Sequence, residues 1–74
     1  MDMKSSMIIV SKDRLENLYA NSANEACWVA GSFIHKTARQ LGEEIYPVMI
    51  EDTKIEAEDT DAWFVRVDYY GGYQ

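Results

Sequence analysis

Six carboxylates fall within the eleven residues EDTKIEAEDTD, from Glu51 to Asp61, with one lysine among them. Glu51, Asp52, Glu56, Glu58, Asp59 and Asp61 admit four kinds of chemistry: a paired acid and base, a cation site, a row of charge resembling a phosphate backbone, or a solvated surface. A general acid and base need two carboxylates singled out by their surroundings, and nothing in the segment singles out two. A calcium loop needs ligands at alternate positions and a glycine at the sixth. A loop starting at Asp52 puts Lys54 at the third position and has no glycine at the sixth, and one starting at Asp59 runs into Trp63 and Phe64. The sequence therefore gives no catalytic residue, no metal and no cofactor. On a regular strand, alternate residues on one face stand roughly 6.6–6.8 Å apart, comparable with phosphates along a nucleic-acid strand. Glu56 and Glu58 are the neighbours this spacing picks out, with Glu43 and Glu44 adding to the field. The plainer alternative is a hairpin whose charges keep a sheet edge from aggregating.

The other reactive side chains are a lone Cys27 and a lone His35. On one helix, eight residues separate them by about 12 Å along the axis and about 80° around it. They cannot exchange a proton in place, and Cys27 reads as a small buried side chain. One cysteine excludes an internal disulfide framework and fits a reducing compartment. No GxSxG, P-loop or GxGxxG pattern occurs. An enzyme is therefore not expected.

Binding surfaces are better represented. Trp28, Ser32, His35 and Arg39 recur at i, i+4, i+7 and i+11, opposite the apolar stripe of the same helix. Trp and Arg are enriched in binding hot spots, although a neighbouring segment folded over Trp28 would also account for the tryptophan. His35 reads as a polar surface residue within this patch. Tyr70 and Tyr73, in the terminal DYYGGYQ, offer a second adhesive surface or close one end of the core. As part of a terminal strand with an unpaired edge, they could also add to another sheet.

The elements that must position these residues follow from periodicity. SMIIVS, Ser6–Ser11, is a β-branched run with little alternation, which predicts a first strand in a central or well-covered place. Ser11 and Asp13 suit the start of a short helix in KDRLENLYA, with Leu15, Leu18 and Tyr19 on one face. Ser22 and Glu25 form a capping box for a second helix. Its stripe of Ala23, Ala26, Cys27, Ala30, Phe33, Ile34, Thr37, Ala38 and Leu41 runs to Gly42, placed as a C-cap. Pro47 marks a strand start or edge, and VMI followed by TKIEA reads as a strand broken near Glu51–Asp52. EDTD is a turn. In AWFVRVDYY, Trp63, Val65, Val67 and Tyr69 share the face turned to the helices. The expected fold is α+β: a small three-stranded, mostly antiparallel sheet in the order β-α-α-β-β, with the long helix packed on one face, as one small domain over residues 1–74.

The chain has 74 residues, a net charge of −6 and 47% hydrophobic residues, enough for one modest core and no deep walled cleft. The charge is segregated. Residues 1–42 carry four acids and five bases, a balance of +1; residues 43–74 carry nine acids and two bases, a balance of −7. An acidic half repels nucleic acid and attracts basic surfaces. The N-terminal apolar run is too short for a signal peptide or a membrane span, so a cytoplasmic location is expected. In size and composition the chain resembles small acidic proteins of phages and mobile elements, among them anti-CRISPR and antirestriction proteins. That likeness implies an inhibitor of a basic, nucleic-acid-handling host protein, by nucleic-acid mimicry or blockade. The alternative is a small homo-oligomeric or accessory structural subunit, for instance a homodimer.

Overall fold

The computed structural model describes residues 3–40 and 48–71, with the side chains of residues 38–40 left aside. Four elements follow one another: β1 (Met3–Ser11), α1 (Ala23–Gln40), β2 (Met49–Glu58) and β3 (Ala62–Tyr70). The strands make one antiparallel sheet in the order β1-β3-β2, with α1 packed on one face. The α+β class, the three-stranded sheet and the single covering helix agree with the sequence. The strand expected to be central does not. β1 is an edge, and β3, the last strand, pairs on both sides.

β3 holds the centre because its alternation is the strictest. Trp63, Val65 and Val67 are buried on the helix side, and Tyr69 is partly buried beside them. Ile8 and Val10 of β1 join the same layer. Each fully buried valine contributes roughly 1.5–3 kcal/mol of apolar burial, so β3 is the strand whose misplacement would cost most. β1 is apolar on both faces, a pattern compatible with a covered strand. Instead the sheet has one layer of helix, and Met3, Met7 and Ile9 face away from it, all exposed.

α1 begins as the sequence dictates. The Ser22 Oγ accepts from the Glu25 N–H at 3.2 Å. The Glu25 carboxylate reaches back to the Asn21 N–H at 3.4 Å, one residue earlier than a capping box requires. Ala26, Ala30 and Gly31 are buried along the contact with the sheet, and their small size lets helix and sheet approach closely. Ile34 completes the buried stripe, whereas Phe33 lies at its margin, 36% exposed. Leu41, Gly42 and Pro47 lie outside the described residues.

The helix expected in KDRLENLYA does not form. Residues 12–19 run as turns and bends, closing with an isolated bridge between Ser11 and Tyr19. The polar side chains capture the backbone first. The Ser11 Oγ accepts from the Asp13 N–H at 2.9 Å, and the Asp13 carboxylate accepts from the Leu15 N–H at 3.0 Å. Such local bonds compete with helical ones. Both ends of the segment are then tied to one residue: the Ser11 N–H donates to Leu18 O at 2.7 Å, and the Ala20 N–H donates to Ser11 O at 3.0 Å. A single helical turn's worth of apolar contact could not repay nucleation, and Leu15 is left 87% exposed.

Candidate functional site

β2 carries most of the acidic segment, and its geometry decides what each carboxylate can do. Register shifts fall between Ile50 and Asp52 and between Ile55 and Ala57. The first is the break anticipated near Glu51–Asp52. The second makes Glu56 the extra residue and upsets the two-residue period on which a regular row of charge depends. Glu56 pairs with Arg66 on the sheet face turned away from α1, Nη1 to Oε1 at 2.9 Å. Glu58 pairs with Lys12, Nζ to Oε2 at 2.6 Å, and that ammonium lies 4.9 Å from the ring centroid of Trp63 on the helix side. Glu56 and Glu58 thus serve opposite faces. The phosphate-like spacing expected of them does not form, because the bulge at Glu56 changes the face.

Asp59 is a structural residue of the β2–β3 turn. Its Oδ1 accepts from the Asp61 and Ala62 N–H groups, each at 2.8 Å, while the Asp59 N–H donates to Ala62 O at 2.9 Å. Three acids of the segment are therefore committed within the molecule. Glu51, Asp52 and Asp61 are exposed and make no ion pair among the described residues.

The helix brings a second set of residues to the same strand. Trp28 is 72% exposed, and His35 is exposed. Residues 12–19 do not close over Trp28; Asn17 and Leu18 instead line a groove of about 540 Å³ with Trp28, Phe33 and Lys36. On its other side Trp28 borders a smaller groove of about 280 Å³, shared with Cys27, His35, Ile50 and Thr53. Ile50 and Thr53 flank Glu51 and Asp52 in β2. The helix patch and the acidic strand, separate features of the sequence, therefore adjoin across one shallow groove. The Arg39 side chain and Tyr73 lie outside the described residues.

Tyr70 ends β3 opposite Met3 of β1 and Met49 of β2. The free edge considered for the terminal strand is thus occupied on both sides. Gly71 follows at φ 96°, a left-handed conformation that favours glycine, and the strand ends before it. The open sheet face is more apolar than the sequence led us to expect. It carries Met3, Met7, Ile9 and Met49, with Phe64 and Arg66 along the middle strand. There Arg66 lies between Glu56 and Asp68, the latter at 3.4 Å from Nε, and the Ser5 hydroxyl donates to Asp68 at 2.5 Å. A run such as MIIV could not reveal this, since both faces of β1 are apolar.

Among the described residues no group of three His, Cys, Asp or Glu side chains stands where it could hold a metal ion, and no helix is long and apolar enough to cross a membrane. Comparison with protein-family models, curated proteins and solved structures gives no match to this chain.

Proposed function

We propose that this chain is a non-enzymatic protein-binding module whose working surface is the α1/β2 side, and that its partner presents a basic surface. One observation carries the reading: an exposed tryptophan stands across a shallow groove from β2, where Glu51, the extra residue of the first bulge, and Asp52, turned with Asp68 to the open face, make no ion pair among the described residues. An aromatic anchor beside unneutralised acids combines the two ingredients of a steered, specific contact. The acids raise the encounter rate, and Trp28 lengthens the residence time. His35 lies on the helical side of the groove and Asp61 at the hairpin tip, where each extends the contact.

A partner that handles nucleic acid has the required positive surface. Occupying that surface would exclude the nucleic acid, which makes an inhibitor of the phage type, acting in the cytoplasm, the specific form of the proposal. The mode is blockade by three acids and an aromatic ridge, rather than imitation of a regular phosphate row. The test is capture from bacterial lysate with three baits: the natural chain, Trp28→Ala, and Glu51→Lys with Asp52→Lys. The proposal expects a nucleic-acid-binding protein held by the natural chain at low salt, released at high salt, and lost from both variants. Equal capture by all three baits would overturn it.

A second reading, a homo-oligomeric or accessory subunit, is favoured by a different feature: the exposed Met3, Met7, Ile9 and Met49 of the open sheet face. It concerns the far side of the sheet from Trp28.

A further inference from the structure

A three-stranded sheet has two outer edges, and in this molecule they are built very differently. The β2 edge is interrupted by two bulges and carries Glu51, Asp52, Lys54, Glu56 and Glu58. Bulges and charges are the usual protections against strand addition. β1 pairs with β3 through nine consecutive residues without a register shift, and Lys4 is its one charged residue. Among the described residues, its outer side meets another backbone segment only at Ser11.

That contact fixes the direction of every peptide group in the strand. The Ser11 N–H and C=O both point outward, to Leu18 O and the Ala20 N–H. The Lys12 N–H points the other way, to Asp61 O at 2.8 Å. In a strand the N–H and C=O of one residue point to one side, and the side alternates. The outward-facing residues of β1 are therefore Met3, Ser5, Met7 and Ile9. The N–H and C=O of Lys4, Ser6, Ile8 and Val10 are turned to β3.

We infer that β1 is the pairing edge of a homodimer, in which a second copy adds its β1 antiparallel about a two-fold axis at Ser6. This register alone lets all four outward-facing residues pair with one another. Met3 then exchanges both backbone bonds with Ile9 of the second copy, and Ser5 does so with Met7 of the second copy. The same register sets Met3 against Ile9 on the open face, where both are exposed, and cross-strand apolar pairs stabilise a sheet. No like charges oppose each other: Lys4 meets Ile8, and Ser6 meets Ser6. The strand order becomes β2-β3-β1-β1-β3-β2, which puts the two acidic edges five strand spacings apart, roughly 24 Å. That is about three Debye lengths at physiological ionic strength, so the net charge of −6 does not prevent association at this edge. The second copy is favoured over a foreign strand because β1 matches itself in hydrogen-bonding register, sets exposed Met3 against exposed Ile9, and opposes no like charges.

The pairing goes beyond the proposed function and leaves the α1/β2 groove open in each copy. Sedimentation equilibrium of the full chain tests it. The natural chain is expected to have twice the monomer mass at micromolar concentration. Met7→Pro removes an outward N–H that the monomer fold does not use, and proline is tolerated at such positions. It should sediment as a monomer with an unchanged circular dichroism spectrum. A second variant needs no loss of pairing to be informative. Ser6→Cys, with Cys27→Ala, places two thiols across a non-hydrogen-bonded pair with Cα atoms about 4.5 Å apart, within disulfide range. Oxidised glutathione should accept the two electrons and two protons and leave a covalent dimer, whereas Glu58→Cys in the same background should stay monomeric under denaturing electrophoresis. A natural chain that is monomeric throughout, or a Ser6→Cys chain that cross-links no faster than the Glu58→Cys chain, would overturn the inference. Neither result bears on capture of a basic partner through Trp28.

Discussion

At the scale of single residues, similar side chains have quite different duties. The two tryptophans are the clearest case. Trp63 is 6% exposed beneath the Lys12 ammonium, while Trp28 stands in solvent. Trp28→Phe should leave a blue-shifted emission that acrylamide barely quenches, and Trp63→Phe a red-shifted emission that it quenches readily. Equal quenching in the two variants would contradict the burial described. The acids divide in the same way. Asp59→Ala removes two charge-assisted bonds from the hairpin turn and should cost about 1 kcal/mol, seen as a lower urea midpoint. Asp61→Ala, two positions on, removes no side-chain bond of the turn and should leave the midpoint unchanged. The sequence marked Asp59 and Asp61 alike as turn formers. Their difference lies in which one has its carboxylate folded back over the turn.

At the scale of elements, α1 was legible because its signals are local. The Ser22 and Glu25 cap and the three-and-four spacing of small residues specify a start, a direction and a buried face. Gly31 sits within that face, where an added Cβ would meet only Thr53 Cγ2 at 3.9 Å, an ordinary contact. Gly31→Ala should therefore stabilise the protein by roughly 0.5–1 kcal/mol, since alanine loses less backbone freedom in a helix. A lower melting temperature would mean that helix and sheet lie closer than described. Segment 12–19 shows where local reading fails. Leu15, Leu18 and Tyr19 have helical spacing, but they do not share one buried face: Leu18 packs against the core while Leu15 stays in solvent. Hydrogen bonds to Ser11 and Asp13 take precedence. β2 falls between these cases: the interruption near Glu51 was legible, and the one at Glu56 was not.

At the scale of the whole molecule, the segregation of charge becomes an arrangement in space. The six acids from Glu51 to Asp61 lie along β2 and the hairpin, at one edge of the sheet, and β1 at the opposite edge has Lys4 as its one charged residue. Reversal of Glu51, Asp52 and Asp61 together should slow association with a basic partner, flatten its dependence on salt, and leave stability within about 0.5 kcal/mol. Glu58→Lys should instead lower stability as well, because it opposes Lys12 and unsettles the cover over Trp63. Stopped-flow association rates at several salt concentrations, with parallel urea titrations, separate the two groups of acids.

The sequence by itself determined the α+β class, the antiparallel pairing, the start and buried face of α1, the inward face of β3 and the acidic hairpin. Each of these is written in periodicity, caps or turn residues within a few positions of one another. Only the tertiary structure decided that β3 is central and β1 an edge. It also decided that residues 12–19 are not a helix, that Glu56 and Glu58 part to opposite faces, and that Trp28 adjoins β2. These depend on which distant segments pair and in what register. A strand's alternation states which side chains share a face, but not which strand lies beside it or what covers the other side. That choice is made by the whole core at once, and Val65 and Val67 could be fully enclosed only with β3 in the middle.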